Sequence, residues 1–171
     1  MPTIFIGGSR RVSHFPPALA RRLDAIVAGG HRIVVGDADG ADTAVQSHFR
    51  GHGYDRLTVF CSGDLPQNNL GRWPARRVAV PKGVRGFAFH AAKDREMAEV
   101  GDFGLMIWDG RSPGTILNLL RLVAGGRPCV LCNLGRQDTA TIRSVERWRA
   151  VFEHCTPAVR TAIRARAAAD E

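Results

Sequence analysis

Three short segments of the chain carry the residue types best suited to chemistry. The first is Gly7-Gly8-Ser9-Arg10-Arg11. Its glycines let backbone amides approach an anion closely, Ser9 adds a hydroxyl donor, and the Arg10 guanidinium can fork onto a phosphate. The second is Gly36-Asp37-Ala38-Asp39-Gly40-Ala41-Asp42. Here Gly40 and Ala41 open a helix, so free amides and the helix dipole attract phosphate. Asp42 is expected to cap or brace this turn, and Asp37 or Asp39 to accept from ribose hydroxyls; the alternative is that these carboxylates only cap the helix. The third is Trp108-Asp109-Gly110-Arg111-Ser112-Pro113-Gly114-Thr115. The small residues Gly110, Ser112 and Gly114 precede a helix with bare N-terminal amides, Thr115 offers a further hydroxyl, and Asp109 can read a sugar. Gly8, Ser9, Arg10, Gly40, Ala41, Gly114 and Thr115 are therefore the expected anion donors, with Gly36 in the same turn and Lys93 and Arg95 supplying charge.

Several other chemistries are excluded or unsupported. The Gly-Lys-Ser/Thr ending of a Walker loop is absent, and no Gly-x-Gly-x-x-Gly follows the first apolar run, which argues against P-loop hydrolysis and an ordinary nicotinamide dehydrogenase. Cys129 and Cys132 have metal-like spacing, but they lie in an apolar strand-like run, Pro-Cys-Val-Leu-Cys, that turns them to opposite faces. His48 and His52 stand four apart on a helical stretch with no third ligand evident, so no metal and no resident cofactor is expected. Cys61 reads either as a nucleophile or as a small buried residue.

The elements that must position these segments alternate. Thr3–Gly7, Arg32–Gly36, Leu57–Cys61, Phe103–Trp108 and Pro128–Cys132 are short apolar runs of the kind that form buried parallel strands. Pro16–Gly29, the stretch after Gly40, Ala88–Val100 and Gly114–Ala124 carry apolar residues at helical spacing. The pattern predicts a three-layer Rossmann-like α/β fold: a mainly parallel sheet of five strands or slightly more, with helices on both faces. In such sheets ligands sit beyond the carboxyl ends of the strands, where all three segments fall. Residues 62–86 have no sustained period apart from a possible strand at Val78–Val80, and a loop this long reads as a lid or a passive excursion. Trp73 within it can stack on a base or plug the loop onto the core. Residues 138–169 read as a helical extension of one or two helices. In it Ile142, Val145, Trp148 and Phe152 form a stripe for core packing or an interface, and Thr156-Pro157 start the last helix.

The chain has 171 residues, 44% hydrophobic and 23% charged, enough for a single globular domain with its own core over about residues 3–132. No apolar run approaches the length of a membrane span, and the first residues lack a signal-peptide pattern, so a soluble, cytoplasmic chain with no membrane partner is expected. The net charge of +8 favours an anionic partner, a small phosphorylated ligand or, second to it, nucleic acid.

Gly-Gly-Ser-Arg after the first strand, Gly-Asp-Ala-Asp-Gly-Ala-Asp after the second, Lys93-Asp94-x-x-Met97, and Trp-Asp-Gly-x-Ser-x-Gly-Thr after the fourth together resemble the SLOG superfamily. That group unites the DNA-processing protein Smf, the "lonely guy" proteins and small nucleotide-sensing relatives. The resemblance implies a Rossmann-like domain that binds a nucleotide derivative such as ADP-ribose, an NAD-like molecule or a nucleoside monophosphate, often as a homo-oligomer. Phosphoribohydrolases of the group use an arginine and a glutamate to release a base. Lys93 stands at the arginine position and Asn118 at the glutamate position, and an amide neither stabilises an oxocarbenium centre by charge nor acts as a base. An enzymatic reading therefore needs Asp94 or Asp109 as its carboxylate, with Lys93 beside it. Single-stranded nucleic-acid binding is the third reading.

Overall fold

The computed structural model describes residues 1–170, and the side chains of residues 1–168. Seven strands form one sheet in the order β4-β3-β2-β1-β5-β6-β7. They are β1 (Thr3–Gly8), β2 (Arg32–Val35), β3 (Leu57–Ser62), β4 (Ala75–Val78), β5 (Phe103–Trp108), β6 (Cys129–Asn133) and β7 (Asp138–Ile142). All neighbours pair in parallel except β7, which runs antiparallel to β6. The helices are α1 (Pro17–Ala28), α2 (Ala41–Gly51), α3 (Gly86–Val100), α4 (Pro113–Ala124), α5 (Val145–His154) and α6 (Pro157–Asp170).

Strand alternation divides the interior into two layers. Phe5, Val34, Phe60 and Met106 turn toward the core that includes α3 to α6, while Ile6, Ile33, Val35, Val59, Leu105 and Ile107 turn toward α1 and α2. Cys129 and Cys132 fall in opposite layers, as their spacing in a strand requires. The expected three-layer arrangement is the one observed. Among the described residues no helix is long and apolar enough to cross a membrane.

Two regions depart from the expectation. Asp138–Ile142 is not helical but a strand closing a hairpin on β6, with Gln137 at φ 56° in the turn. Its first four residues are exposed and only Ile142 is buried, so half of the usual apolar alternation is missing. Ile142 ends this strand and joins Trp148 in the core, with Val145 and Phe152 packed against them. The stripe is thus core packing, although its first member lies outside the helix. Thr156 does start α6, its hydroxyl accepting from the Val159 amide.

The second departure is residues 62–86. They contain an edge strand, Ala75–Val78, three residues earlier than the expected Val78–Val80. Ahead of that strand residues 69–73 are tied down: Asn69 exchanges side-chain bonds with the Trp73 backbone, and the buried Trp73 indole donates to the Tyr54 carbonyl at 2.6 Å. Trp73 plugs the loop onto the α1–α2 layer instead of facing a ligand.

Candidate functional site

The sheet order reverses between β1 and β5: β1 leads to β2 on one side, while β5 continues outward on the other. At such a switch point the loops after neighbouring strands diverge and leave a crevice. A cavity of about 310 Å³ occupies it. Its walls come from the β1–α1 loop (Gly8, Ser9, Arg10), the start of α4 (Ser112, Gly114, Thr115), one face of α3 (Phe87, His90, Lys93, Asp94), Asp42 of α2, Asn118 of α4 and Arg166 of α6.

A buried hydroxyl pair joins the two main loops. Ser9 Oγ donates to Asp109 Oδ1 at 3.1 Å, accepts from the Asp109 amide at 3.0 Å, and lies 3.2 Å from Thr115 Oγ1. Gly8 permits this approach, because a Cβ there would overlap the Ile107 carbonyl. The Asp109 loop leads into α4. Pro113 opens the helix, Ser112 supplies no side-chain cap, and Gly114 and Thr115 line the cavity with the first-turn amides of that helix. Arg166 reaches over the same turn, packed on the Phe87 ring with its guanidinium carbon 4.6 Å from the centroid. Burial and the nearby Arg10 charge lower the Arg166 pKa, the direction expected where two guanidiniums share a site. His90 is likewise shifted down by burial first and then by Arg10 and Lys93, and its Nδ1 is buried without a partner.

The expected carboxylates have other duties. Asp109 accepts from the amides of Arg111 and Ser112, both at 2.8 Å, and from the Ser112 and Ser9 hydroxyls. Although burial opposes ionisation, these bonds hold its carboxyl below the usual range. Asp109 organises the loop, and with Gly110 it lies outside the cavity walls. Asp37 accepts from the Gln67 amide at 2.7 Å, and Asp39 from the Asn68 and Gln67 side chains. Both fasten residues 67–68 to the second loop, and neither lines the cavity. Asp42 accepts from the Ala38 amide and braces its turn as expected.

Ala41 also differs from expectation. Its amide donates to the Ser9 carbonyl at 3.1 Å and holds the first loop, and Ala41 does not line the cavity. Gly40, at φ 87°, sits against the Arg10 backbone. Gly36 packs against the carboxylate of Asp42 and the Lys93 ammonium. These three residues support the site from behind.

Lys93, only 3% exposed, lies 3.1 Å from Asp94 and 3.9 Å from Asp37, with the charge of Asp42 also close. Burial disfavours its charge, but the three carboxylates outweigh this and raise its pKa. Asp94 is held low, against its own burial, by Lys93 and by the Asn118 amide, which donates to it at 3.0 Å. Burial pushes Asp42 up to about 7. The positive charge of Lys93 is thus largely spent inside the protein.

Sequence reasoning missed Arg166, His90 and Phe87. Arg166 sits among α6 arginines that read as a solvated face, yet Arg164 also packs on an aromatic ring, Phe152, and Arg160 donates to the Glu153 carbonyl at 3.1 Å. An arginine-rich helix directly after a core stripe was the available signal. Cys61 is buried with a raised pKa, a small core residue and not an activated thiol.

The fold and the crevice define a Rossmann-like α/β domain with its cavity at the topological switch point. No family model matches the chain, and no curated protein does. Among solved structures, the chain is similar to DNA processing protein A from Helicobacter pylori, described for its single-stranded DNA binding mode, with a TM-score of 0.56 and 16% sequence identity. The likeness covers 76% of this chain and 64% of that one, so the chain spans a little under two thirds of its neighbour. At this identity the likeness concerns the fold.

Proposed function

We propose that the chain binds a phosphate-bearing nucleotide in the β1–β5 crevice, with the phosphate at the N-terminus of α4 between Arg10 and Arg166. The carrying observation is the convergence of two arginines and a helix N-terminus on one cavity. Two guanidiniums and the free amides of a helix start match the distributed charge and lone pairs of a phosphate. The volume is at the low end of the roughly 300–1,000 Å³ range of small-ligand sites. It suits one nucleotide unit, with the remainder of an ADP-ribose or NAD-like molecule outside. This agrees with the resemblance to the nucleotide-sensing branch of the SLOG superfamily.

The second reading is single-stranded nucleic acid, with one nucleotide of the strand seated in the same cavity. The fold comparison favours it, since the structural neighbour is described by its single-stranded DNA binding, and the net charge of +8 is consistent with it. Base release finds less support: Asp94 is engaged by Lys93 and Asn118, and Asp109 is engaged by its own loop and lies outside the cavity walls.

Calorimetry with AMP, ADP-ribose and NAD, beside fluorescence anisotropy with a short oligodeoxynucleotide, tests the proposal. At least one ligand is expected to bind, and Arg10→Ala and Arg166→Ala each to weaken it tenfold or more. A preference for the oligonucleotide with steep salt dependence selects the second reading. Failure of every ligand at millimolar concentration, or indifference to both substitutions, overturns the site.

A further inference from the structure

Away from the cavity, α1 and α2 bring together three metal-ligating side chains. His48 and His52 stand four residues apart on α2, so their rings share one face of the helix. Asp24 of α1 meets that face. His48 Nε2 lies 2.8 Å and His52 Nε2 3.0 Å from the same Asp24 oxygen, Oδ1. The imidazole rings are 4.9 Å apart, centroid to centroid, and one ligand atom from each of the three residues lies within 4.8 Å of the others.

We infer that Asp24, His48 and His52 form a binding site for a zinc-class transition-metal dication, clasping α1 to α2. Bond lengths of roughly 2.0–2.2 Å to imidazole nitrogen and carboxylate oxygen put the corners of a tetrahedral site about 3.4 Å apart. The two nitrogen–oxygen separations therefore need to open by only about 0.5 Å, which small side-chain rotations supply. Two neutral imidazoles and one carboxylate are borderline ligands that suit zinc, cobalt, nickel or copper; magnesium and calcium prefer all-oxygen shells. His48 is the most enclosed of the three at 17% side-chain exposure, while His52 and Asp24, at 41% and 49%, leave the fourth position to water. The cysteines do not compete, because all four are buried. The third ligand comes from another helix, which the i, i+4 histidine spacing alone does not reveal.

Titration of the full chain with Zn²⁺ by calorimetry, and with Co²⁺ by visible spectroscopy, tests the assignment. One equivalent is expected to bind the wild type, with ligand-field bands but no thiolate-to-cobalt charge-transfer band. Zn²⁺ should raise the melting temperature, and an equal concentration of Mg²⁺ should not. In NMR spectra of the wild type, Zn²⁺ should move the ring signals of only two of the six histidines. His52→Ala and Asp24→Asn, both at exposed positions and checked for folding by circular dichroism, should weaken Zn²⁺ binding at least tenfold. The inference is overturned by absence of Zn²⁺ binding at millimolar concentration, by variants that bind like wild type, or by a thiolate band assigning the metal to cysteine. Because the readouts are metal binding and stability, their outcome is independent of what the crevice holds.

Discussion

Ser9 and Thr115, 106 positions apart in the chain, bring their hydroxyl oxygens to 3.2 Å in a buried contact that joins the β1 loop to the start of α4. The Ser9 hydroxyl also bonds Asp109, so one small side chain links both loops of the switch point. Replacing it leaves the Asp109 amide without its acceptor and removes one of the three donors to Asp109 Oδ1. Ser9→Ala is expected to cost about 1–3 kcal/mol in denaturant-unfolding measurements, the usual penalty for stranding buried polar groups. It should also weaken ligand binding, because Arg10 and the α4 amides lose their fixed separation.

Asp109 adds a pH dependence of known sign. Its pKa is lower folded than unfolded, so its ionised bonds stabilise the fold above the ordinary value of 3.8. That contribution fades as pH falls from there through the depressed folded value. Melting temperatures of wild type and Asp109→Asn should therefore differ most at neutral pH and converge in acid. A gap that stays constant down to pH 2 would show that the carboxylate charge does not organise the loop.

Gly40 provides a backbone test of the same region. It stands at φ 87°, and an added Cβ would run into the carbonyl and Cα of Arg10, a rigid backbone neighbour. Positive φ alone costs an ordinary residue about 1 kcal/mol or more, and the overlap adds to it. Gly40→Ala should lose more than about 2 kcal/mol of stability. It should also displace Arg10 and reduce affinity at the crevice, whereas Gly51→Ala, where a Cβ meets nothing, should do neither.

The contrast between what the residues announced and what they concealed has a physical origin. The five central strands were legible because a strand covered on both faces reads as an unbroken apolar run, as in Thr-Ile-Phe-Ile-Gly or Phe-Gly-Leu-Met-Ile-Trp. Strand β7 was not, because an edge strand with four exposed residues carries no such run. Ser9, Arg10, Gly114 and Thr115 of the glycine-bearing turns line the cavity. The destinations of the aspartates were hidden, since Asp37 and Asp109 are engaged by partners 30 and 100 positions away. Arg166 was hidden too, because an arginine on the last helix looks the same in sequence whether it meets solvent or a cavity.

The Trp73 plug straps residues 69–73 to the α1–α2 layer. Its indole is 8% exposed and donates to the Tyr54 carbonyl, while its neighbour Gly71 packs against the ring. Trp73→Ala should cost about 3–5 kcal/mol, as for other large aromatic truncations, and expose the strap to limited proteolysis. Ligand affinity of the folded fraction should change less than twofold, since none of the cavity walls falls between Asp42 and Gly86. A base-stacking Trp73 would give the opposite pattern, a large loss of affinity at unchanged stability.

The buried charges beneath the crevice make the sharpest prediction. Asp42 has a folded pKa of about 7 against 3.8 unfolded, so its contribution to stability is fully present below 3.8 and is lost as pH rises through about 7. Asp42→Asn removes that loss while retaining an oxygen for the Ala38 amide. The variant should gain on wild type progressively between pH 4 and 8, by at most about 4 kcal/mol at one pKa unit per 1.4 kcal/mol. Lys93→Met should do the reverse. It leaves the largely buried Asp94 carboxylate without its cation, at a cost of about 3–5 kcal/mol at neutral pH. Adding Asp94→Asn to Lys93→Met should recover part of that loss, because the second substitution removes the charge the first had stranded. If the double variant is no more stable than Lys93→Met alone, Lys93 stabilises the site through packing and not by balancing its carboxylates.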